Sequence, residues 1–296
     1  MKPVYVVTLN WNLKEDTIAC VLSVLAAGAP MKHIIVVDNG STDDSVEAIT
    51  ARFGHRLSLI TNTENLGFAG GINGGIQHAL QQGAASVLIL NNDTVVDVQM
   101  IQTLLEAAES LGAVGILGPA IYYYDAPERL WRLGDTRHRW LPMPTSVRLG
   151  VDSLANSPPF QVDYVTGCGM LVSREVFGHI GLFDTRYFMY FEDADFCRRA
   201  RDAGYSVWCV PRAKMWHKVS LTARREKSVN RYHRAFNQVR FYHEHPHGPC
   251  PWMRDGYLFL KLITTTLADV FRRDWDLVHP LWKGTWDGYA EQRAQD

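Results

Sequence analysis

The stretch that decides the fold is "HIIVVDNGSTDDSVEAITARF", residues 33–53. Its apolar, β-branched start, residues 33–38, is typical of a strand that is buried on both faces. A helix is predicted over residues 41–53, because Ser41 and Thr42 are candidate N-caps and acidic residues fill the first turn. The stretch therefore predicts a strand that leads through a short polar turn into a helix.

The same pattern of strand and helix recurs through the first 118 residues. The other predicted strands cover residues 4–9, 57–60, 86–91 and 113–118. The other predicted helices cover residues 15–27, 70–83 and 98–112. Strands that alternate with helices of this length form βαβ units, so the sequence predicts an α/β fold with a mostly parallel sheet.

The pattern breaks after about residue 120. Residues 122–159 are aromatic, basic and rich in proline, which predicts irregular chain or a β-hairpin. A strand is predicted over residues 206–211, and the chain from about residue 225 onward is helix-like and rich in Arg, His and Trp. We therefore expect a C-terminal helical extension over residues 223–296.

The composition is that of a soluble globular protein. The 296 residues are 47% hydrophobic and 21% charged, and the net charge of −1 creates no field that would attract nucleic acid. The five cysteines form no Cys-x-x-Cys pair, which favours reduced thiols in a cytosolic protein over disulfides or a zinc site. We find neither a secretory signal nor an apolar run of the roughly 20 residues that span a bilayer, and expect a cytoplasmic protein.

Polar side chains follow the predicted strands where a ligand would bind. Ligands of such sheets bind outside the carboxyl ends of the strands, which directs attention to residues 8–12, 38–39 and 91–93. Asp38 suits a ribose or a base edge, with a plain turn as the alternative. Asp93 suits the metal of a diphosphate, since Mg²⁺ and Mn²⁺ accept oxygen ligands, with a helix cap as the alternative.

Residues 65–76, "NLGFAGGINGGI", are rich in glycine but contain no Gly-x-Gly-x-x-Gly. The chain also lacks the Gly-Lys-Ser/Thr of a P-loop, so nicotinamide dehydrogenases and P-loop phosphotransferases lose support. The glycines would allow the backbone to approach a ligand closely. Tight packing of a helix on the sheet is the alternative.

Residues 187–205, "YFMYFEDADFCRRARDAGY", contain four carboxylates at the predicted start and along one predicted helix. Asp195 and Asp202 have arginines three and four residues away, which indicates ion pairs along the helix. Glu192 and Asp193 have no such partner. They either complement the helix dipole or include a catalytic base whose basicity is raised by a partly dry cleft.

The histidines give weaker signals. His217 follows a predicted strand and becomes a candidate metal ligand only if Asp93 binds a metal. His243, His245 and His247 have a spacing that resembles a metal site, but an intervening proline favours a solvated loop.

In order and combination, six segments resemble the family 2 glycosyltransferases, which have the GT-A fold. The segments are "VTLNWN", "VVDNGSTDDS", "ENLGFAGGINGGI", "LILNNDT", "VTGCGMLVSREVF" and "GLFDTRYFMYFEDADFCRRARDAGY". The resemblance covers about residues 3–220 and is closest to the rhamnosyltransferase-like branch. It implies a mostly parallel, Rossmann-like sheet flanked by helices. It also implies a catalytic domain over residues 1–222, with a nucleotide-binding half (1–118) and an acceptor and catalytic half (119–222).

The resemblance further implies the roles of single residues. The donor would be bound by Thr8, Asn10, Trp11, Asp38, Asn39, Asn65, Gly67, Asn73, Asn91, Asn92 and Asp93. Mg²⁺ or Mn²⁺ would be held by Asp93 and His217. Asp193 would be the general base, and the acceptor side would contain Glu192, Trp131 and Gly167.

Two positions depart from the family pattern. Asn91 replaces the first acid of the Asp-x-Asp motif, which weakens the expectation that both ends of the motif bind metal or ribose. Ile72 replaces an arginine, which leaves one diphosphate contact missing or supplied by another residue.

We therefore expect an inverting, metal-dependent glycosyltransferase of cell-surface polysaccharide synthesis. The expected donor is dTDP-rhamnose, with a UDP-linked sugar such as galactofuranose or N-acetylglucosamine as the alternative, and the acceptor is a saccharide or a lipid-linked saccharide. A nucleotidyltransferase and a non-catalytic sugar-nucleotide-binding module are the rival classes. The tail, with its Trp and Arg residues, forms a helical cap, a peripheral contact with the inner face of the membrane or a homodimer contact.

Overall fold

The computed structural model describes residues 3–112, 114–137, 144–147, 154, 156–219, 226–246 and 251–295. In these ranges the strands are β1 (Val4–Asn10), β2 (Ile34–Asn39), β3 (Ser58–Asn62), β4 (Ser86–Asn91), β5 (Thr94–Val96), β6 (Val114–Tyr123), β7 (Ala126–Arg132), β8 (Asp135–Arg137), β9 (Pro144–Ser146), β10 (Phe160–Val162), β11 (Gly169–Ser173) and β12 (Ser206–His217). The helices are α1 (Lys14–Ala26), α2 (Ser45–Phe53), α3 (Gly67–Gln81), α4 (Met100–Leu111), α5 (Arg174–Ile180), α6 (Glu192–Asp202), α7 (Lys227–Glu244), α8 (Pro251–Phe271) and α9 (Val278–Gln295).

Ten strands form one sheet in the order β10, β12, β6, β11, β4, β1, β2, β3, with β5 attached to β12 and β7 attached to β6. The run β4, β1, β2, β3 is parallel, as the βαβ pattern predicts. Beyond β4 the sheet is mixed, because β11 runs antiparallel to both β4 and β6 while β12 runs parallel to β6. The predicted α/β fold is confirmed, but the parallel arrangement dominates only the first half of the sheet.

Helices cover both faces of this sheet. The side chains of β2 alternate between the faces: Ile35 and Val37 join the core beneath α3, α5 and α6, whereas Ile34 and Val36 join the core beneath α1, α2 and α4. All four side chains are fully buried. Continuous apolar strands are what a sheet covered on both faces requires, and the carboxyl ends of β1, β2 and β4 are left as the place for a site.

Three predicted boundaries differ from the structure. Helix α2 begins at Ser45 rather than at residue 41, because Ser41 donates its hydroxyl to Asp38 at 2.6 Å and remains in the turn. Strand β6 continues to Tyr123 and pairs with β7, so the segment after residue 120 begins as regular sheet. Strand β12 continues to His217, well past the predicted end at residue 211.

The described cysteines are free thiols in the core, as predicted from their spacing. They are Cys20, Cys168, Cys197 and Cys209. Burial raises the pKa of Cys20 to about 11, so this thiol is protonated at neutral pH and is a poor nucleophile. Cys250 lies outside the described residues.

Helices α7, α8 and α9 form the predicted C-terminal extension. Helix α9 packs closely on α7 at Gly284 and Gly288, and a Cβ at Gly284 would lie 2.4 Å from the carbonyl oxygen of Tyr232. Helix α7 also packs on the segment before α6, where the rings of Phe241 and Phe191 lie 5.5 Å apart. The boundary predicted between residues 222 and 223 falls outside the described residues. Among the described helices, none has the length and apolar character needed to cross a bilayer.

Candidate active site

A cleft of about 690 Å³ opens at the carboxyl ends of β1, β2 and β4 and extends along α6, α7 and α8. This volume is typical of sites for small molecules. The cleft is lined by many of the residues singled out from the sequence: Trp11, Asn39, Asn65, Gly67, Asn91, Asn92, Asp93, Trp131, Gly167, Glu192, Asp193 and His217.

Other predicted residues lie behind the cleft wall. Thr8, Asn10 and Asp38 are buried and do not line the cleft. Asn10 donates its amide to Asp38 Oδ1 at 2.7 Å and accepts the hydroxyl of Thr17 at 2.7 Å. Asn92, which does line the cleft, donates to Thr17 at 2.9 Å. This network fixes the ends of β1, β2 and β4 relative to one another, and direct contact of the buried residues with a donor stays a prediction.

Asn39 connects β2 to the glycine-rich segment. Its side-chain nitrogen donates to Asn65 Oδ1 at 2.9 Å and to the carbonyl of Gly67 at 3.1 Å. Its side-chain oxygen accepts from the Asn62 amide at 3.0 Å and from the Leu66 N–H at 3.2 Å. Both ends of the Asn39 amide therefore hold this loop in place at the rim of the cleft.

The glycine-rich segment also packs on the chain that leads to α6. Gly67 has a φ of 72°, and a Cβ there would lie 2.2 Å from the carbonyl oxygen of Phe188. Phe68 donates its N–H to the same oxygen at 2.7 Å. In α3, Asn73 is away from the cleft and bonds the backbone of Phe183 with both ends of its amide, at 2.8 Å and 3.1 Å. These positions serve close packing, and the predicted contact of Asn73 with a donor stays a prediction.

Asp93 and His217 meet in the cleft because β12 pairs with β5, which places His217 opposite Thr94. Lys218 donates its N–H to the carbonyl of Asp93 at 2.9 Å. Asp93 Oδ1 lies 3.0 Å from His217 Nε2. The two atoms are close but not hydrogen-bonded, and Asp93 Oδ1 has no hydrogen-bond partner in the described part of the chain. Trp131 packs its ring against His217, with centroids 4.8 Å apart.

This pair fits a divalent metal. Octahedral ligands at about 2.1 Å from an ion lie about 3.0 Å apart when they are neighbours, which matches the separation of Asp93 Oδ1 and His217 Nε2. Carboxylate oxygen and imidazole nitrogen together suit Mn²⁺, and the carboxylate suits Mg²⁺. No third His, Cys, Asp or Glu of the described residues completes a group with them. A bound diphosphate and water would therefore supply the remaining ligands.

Asp193 lies at the start of α6 and is held by three hydrogen-bond donors. Its Oδ2 accepts the hydroxyl of Tyr164 at 2.8 Å and the N–H of Gly167 at 2.9 Å, and its Oδ1 accepts the N–H of Ala194 at 2.8 Å. A carboxylate oxygen accepts two hydrogen bonds, so Oδ1 has room for one more donor. The arrangement fixes the direction of the carboxylate and leaves one position for a hydroxyl.

Glu192 has the opposite environment. It is buried, and its Oε2 has no hydrogen-bond partner among the described groups. Burial, followed by the charge of Asp193, raises the pKa of Glu192 well above its usual range. Burial and Asp193 also raise the pKa of Tyr164, so Tyr164 stays protonated and continues to donate to Asp193.

The turn before α6 is held by the C-terminal extension. Tyr190 and Phe191 have φ values of 67° and 72°, in the left-handed region that bulky residues rarely adopt. Asn237 of α7 is 1% exposed and donates to the carbonyls of Met189 at 2.9 Å and Tyr190 at 3.1 Å. No local sequence signal marks Asn237, because its role depends on a contact between distant segments.

The other two acids of α6 form the ion pairs that their spacing predicts. Arg199 Nε lies 2.7 Å from Asp195 Oδ2, and Arg198 Nε lies 2.7 Å from Asp202 Oδ2. Both pairs join residues four apart on one helix. These two acids are therefore explained by helix stability rather than by catalysis.

The described histidines at the end of α7 are not in a solvated loop, which corrects the expectation from sequence. His245 Nε2 lies 2.7 Å from Asp195 Oδ1. In the described part of the chain, Asp195, Glu244 and His245 are the one group of three potential metal ligands. Arg186 pairs with Glu244 at 2.7 Å, so the charges of this group are balanced by ion pairs. His247 lies outside the described residues.

Comparison with known proteins adds the following. Residues 4–181 match the sequence model of the family described as "Glycosyl transferase family 2". The chain is 28% identical to an N-acetylglucosaminyl-diphospho-decaprenol L-rhamnosyltransferase of Mycobacterium tuberculosis, over 93% of this chain and 97% of that protein. It is 26% identical to the dTDP-rhamnosyl transferase RfbF of Shigella flexneri, over 63% of this chain and 60% of that protein.

A solved structure supports the fold. The mannosyltransferase PcManGT from Pyrobaculum calidifontis, in complex with GDP-Man and Mn²⁺, superposes with a TM-score of 0.60 at 17% identity, over 97% of this chain and 87% of that chain. A likeness at this level of identity concerns the fold alone. It confirms the expected GT-A architecture, in which a sheet with helices on both faces carries the cleft.

Proposed function

This chain belongs to glycosyl transferase family 2, and from that premise we propose that it is an inverting, metal-dependent enzyme that transfers a sugar from a nucleotide diphosphate to a saccharide. One observation carries the proposal. A single cleft is lined by a metal-binding pair, Asp93 with His217, and by an oriented carboxylate, Asp193. Transfer of this kind needs both, because one serves the leaving group and the other serves the acceptor.

The metal side of the cleft serves the leaving group. Asp93 and His217 would hold Mg²⁺ or Mn²⁺, and such an ion supplies positive charge to a diphosphate. Asn91 and Asn92 line the same cleft and offer neutral hydrogen-bonding groups. Asp93 is the one carboxylate of the Asp93–His217 pair. The negative charge of the diphosphate would therefore not meet a second carboxylate from that pair.

Asp193 is the general base in this proposal. Tyr164 and Gly167 hold Oδ2, which leaves Oδ1 as the atom that takes the proton of the acceptor hydroxyl. The acceptor oxygen then attacks the anomeric carbon from the face opposite the diphosphate, and the configuration inverts. One carboxylate suffices because the diphosphate leaves without a proton, whereas glycoside hydrolases need a second carboxylic acid.

The donor that we propose is dTDP-rhamnose. The support is the similarity to a dTDP-rhamnosyl transferase and to an L-rhamnosyltransferase that uses a diphospho-decaprenol acceptor. A UDP-linked sugar is the alternative donor. Trp11 and Asn65 line the cleft beside the ends of β1 and β2, where the base and ribose of either nucleotide would lie.

We propose that the acceptor is a lipid-linked saccharide and that α8 lies on a bilayer surface. Helix α8 is about 31 Å long. It exposes large apolar side chains on one side: Trp252, Phe259, Leu260, Leu267 and Phe271. Arg272 and Arg273 follow this apolar side, and their charge complements anionic lipid headgroups. Lys261, on the other side of the same helix, lines the cleft, so the cleft lies about one helix diameter, roughly 10 Å, from the side proposed to meet the bilayer.

Donor hydrolysis tests the proposed function without knowledge of the acceptor. The protein is incubated with dTDP- and UDP-linked sugars and Mn²⁺ or Mg²⁺, and free nucleotide is measured. We expect slow release from dTDP-rhamnose that stops when EDTA removes the metal. Release from no donor, together with no thermal shift by dTDP or UDP, would contradict the proposal.

A further inference from the structure

The cations of the cleft wall divide into paired and unpaired groups. The paired arginines and their acids are Arg132–Asp135, Arg198–Asp202, Arg201–Asp163 and Arg231–Asp269. Arg137, Arg234 and Lys261 also line the cleft, but none of them forms an ion pair with a described residue. The wall therefore carries three positive charges that the described acids do not neutralise.

Arg137, the last residue of β8, is the least exposed of these three. Its Nη1 and Nη2 atoms are both buried and have no hydrogen-bond partner in the described part of the chain. The guanidinium lies 5.6 Å from the ring centroid of Phe241. Burial, followed by repulsion from Arg198 and Arg201, lowers the pKa of Arg137. A buried and unpaired guanidinium is strongly unfavourable, and a bound anion would relieve it.

Arg137 is connected to the general base by a short path. Its backbone N–H donates to Asp163 Oδ2 at 2.6 Å, and the neighbouring Tyr164 donates to Asp193 at 2.8 Å. The Arg137 guanidinium lies beside Phe241, whose ring is 5.5 Å from that of Phe191, two residues before Asp193. An anion on Arg137 would therefore lie on the side of the cleft that Asp193 lines. In the metal pair, Asp93 directly precedes β5 and His217 ends β12, both in the ten-stranded sheet, whereas Arg137 ends β8 in the separate two-stranded sheet.

Arg234 and Lys261 extend the positive wall toward the C-terminal helices. The Arg234 guanidinium lies 4.5 Å from the ring centroid of Tyr190. Arg234 and Phe241 are seven residues apart on α7, a distance of about 10 Å. Desolvation, followed by repulsion from Arg234, lowers the pKa of Lys261. Arg234 on α7 and Lys261 on α8 are therefore two positive charges close to each other. Arg234 lies about 10 Å along α7 from Phe241, the residue whose ring lies beside Arg137.

We propose that Arg137 binds a phosphate group of the acceptor, the group that links its saccharide to the lipid, and that Arg234 and Lys261 attract the same charge from further along the wall. This inference rests on the proposed transfer to a lipid-linked saccharide. A guanidinium presents two parallel N–H groups to two oxygens of one phosphate. The site binds and positions, and no bond is made or broken there.

Equilibrium binding of farnesyl diphosphate tests this site without turnover. The donor site is kept filled with dTDP and Mg²⁺, and farnesol serves as the probe without phosphate. We expect Arg137→Gln to bind farnesyl diphosphate about ten- to hundredfold more weakly, because hydrogen bonds between buried charged partners are lost. Arg234→Gln and Lys261→Gln should each weaken binding about two- to fivefold, as is usual for exposed charges.

Arg293→Gln is the matched control, since it removes an exposed positive charge from α9 outside the cleft. It should bind farnesyl diphosphate like the wild type, and farnesol binding should be the same in all variants. Wild-type affinity for farnesyl diphosphate in Arg137→Gln would overturn the proposal. Weaker binding of dTDP by Arg137→Gln would assign the residue to the donor diphosphate and would overturn the acceptor assignment.

Thermal unfolding separates binding from a structural role. Without ligand, Arg137→Gln is expected to unfold at a higher temperature than the wild type, because the substitution removes a buried charge that has no partner among the described residues. A lower unfolding temperature together with lost binding would make Arg137 a structural residue and overturn the proposal. Failure of the proposed function appears in a separate assay, as the absence of nucleotide release by the wild type.

Discussion

Glu192 and Asp193 are neighbours in the chain with opposite surroundings. Asp193 accepts hydrogen bonds from Tyr164, Gly167 and Ala194, whereas Glu192 Oε2 has no partner among the described groups. Burial favours the neutral form of Glu192. A neutral Glu192 places no second negative charge directly beside Asp193, the proposed general base.

Replacement of Asp193 by asparagine tests whether this carboxylate is the general base. Asp193→Asn keeps the size of the side chain and removes the carboxylate that would take the proton in the proposed mechanism. We expect kcat for transfer to fall about 10²- to 10⁴-fold, while affinity for dTDP, measured by thermal shift, stays near that of the wild type. Near-normal turnover would mean that Asp193 only complements the helix dipole.

The matched control is Asp195→Asn, the same change two residues further along α6. Asp195 is 2% exposed and pairs with Arg199 and His245. Loss of one partner in a buried pair costs about 3 kcal/mol in free energy of unfolding. The control should therefore lose stability in urea and retain more activity than Asp193→Asn.

Glu192 gives a prediction about pH. Its pKa in the folded protein is raised above the ordinary 4.5, so the folded state binds the proton more tightly than the unfolded state. The stability from this group is fully present below pH 4.5 and is lost as pH rises through the folded pKa. Glu192→Gln should remove this loss, so its free energy of unfolding relative to wild type should increase with pH above about 4.5.

Urea unfolding at a series of pH values measures this difference for Glu192→Gln. The control is Glu109→Gln on α4, which removes an exposed carboxylate. The prediction would be wrong if the difference in free energy of unfolding between Glu192→Gln and the wild type stayed constant with pH.

At the scale of the element, α7 does more than cover the catalytic region. It buries Asn237 and Arg240 against the segment before α6, and Arg240 donates to the carbonyl of Arg186 in that segment. The turn at Tyr190 and Phe191 lies in the left-handed region, at a cost of about 1–3 kcal/mol per residue. Hydrogen bonds from α7 offset this cost and set the direction in which α6 begins.

Asn237→Ala tests this role of α7. The substitution leaves the carbonyls of Met189 and Tyr190 without their donor, at a cost of about 1–3 kcal/mol in free energy of unfolding. We expect kcat to fall about tenfold or more while KM for the donor stays unchanged, because a small misplacement of a catalytic group costs up to about a hundredfold in rate. Ile49→Val, on the buried side of α2, costs about 1 kcal/mol and serves as the control with normal kcat.

The contact between α7 and α9 gives a prediction about stability. A Cβ at Gly284 would lie 2.4 Å from the carbonyl oxygen of Tyr232, whereas a Cβ at Gly256 in α8 would meet no atom within 4 Å. Gly284→Ala should therefore cost about 1–3 kcal/mol through overpacking. Gly256→Ala should raise the free energy of unfolding by about 1 kcal/mol through helix propensity. Urea unfolding measures both, and equal stabilisation of the two variants would contradict the close contact.

Across the whole molecule, the features that the sequence predicts are those formed by residues close together in the chain. The runs that become β1, β2 and β4 are apolar over a few consecutive residues, and the polar residues that end them follow directly. Asp193 differs from Asp195 in having no arginine one helical turn away, which needs only helix geometry. These features therefore appear in the pattern before any long-range contact is considered.

Contacts between distant segments could not be predicted from pattern alone. The approach of His217 to Asp93 depends on the register of β12 against β5. Asn237 lies inside an ordinary helical pattern, and its partners are carbonyls of another segment. Arg137 lies in a stretch with no periodicity, so its burial has no sequence signal. The family resemblance supplies the role of His217, and the structure supplies the positions of Asn237 and Arg137.

The exposed side of α8 gives a prediction at this scale. The protein should sediment with vesicles that contain anionic lipid, and added salt should weaken the association because Arg272 and Arg273 contribute to it. A triple variant, Leu260→Ser, Leu267→Ser and Phe271→Ser, should bind vesicles at least about tenfold more weakly. Light scattering should find the wild type and the variant in the same oligomeric state. A wild-type dimer that the variant converts to monomer would assign this face to a second copy of the chain.

The contact between the glycine-rich segment and the chain before α6 has a consequence for recombination among relatives. Gly67 has no room for a Cβ beside the carbonyl of Phe188, and Asn73 bonds the backbone of Phe183. A chimera joined at residue 118 would take the two sides of these contacts from different parents. Because the Asn73 bonds and the nearest contact of Gly67 are made to backbone atoms, we expect such a chimera to fold when the parent of residues 1–118 keeps Gly67 and Asn73, and to misfold when it does not.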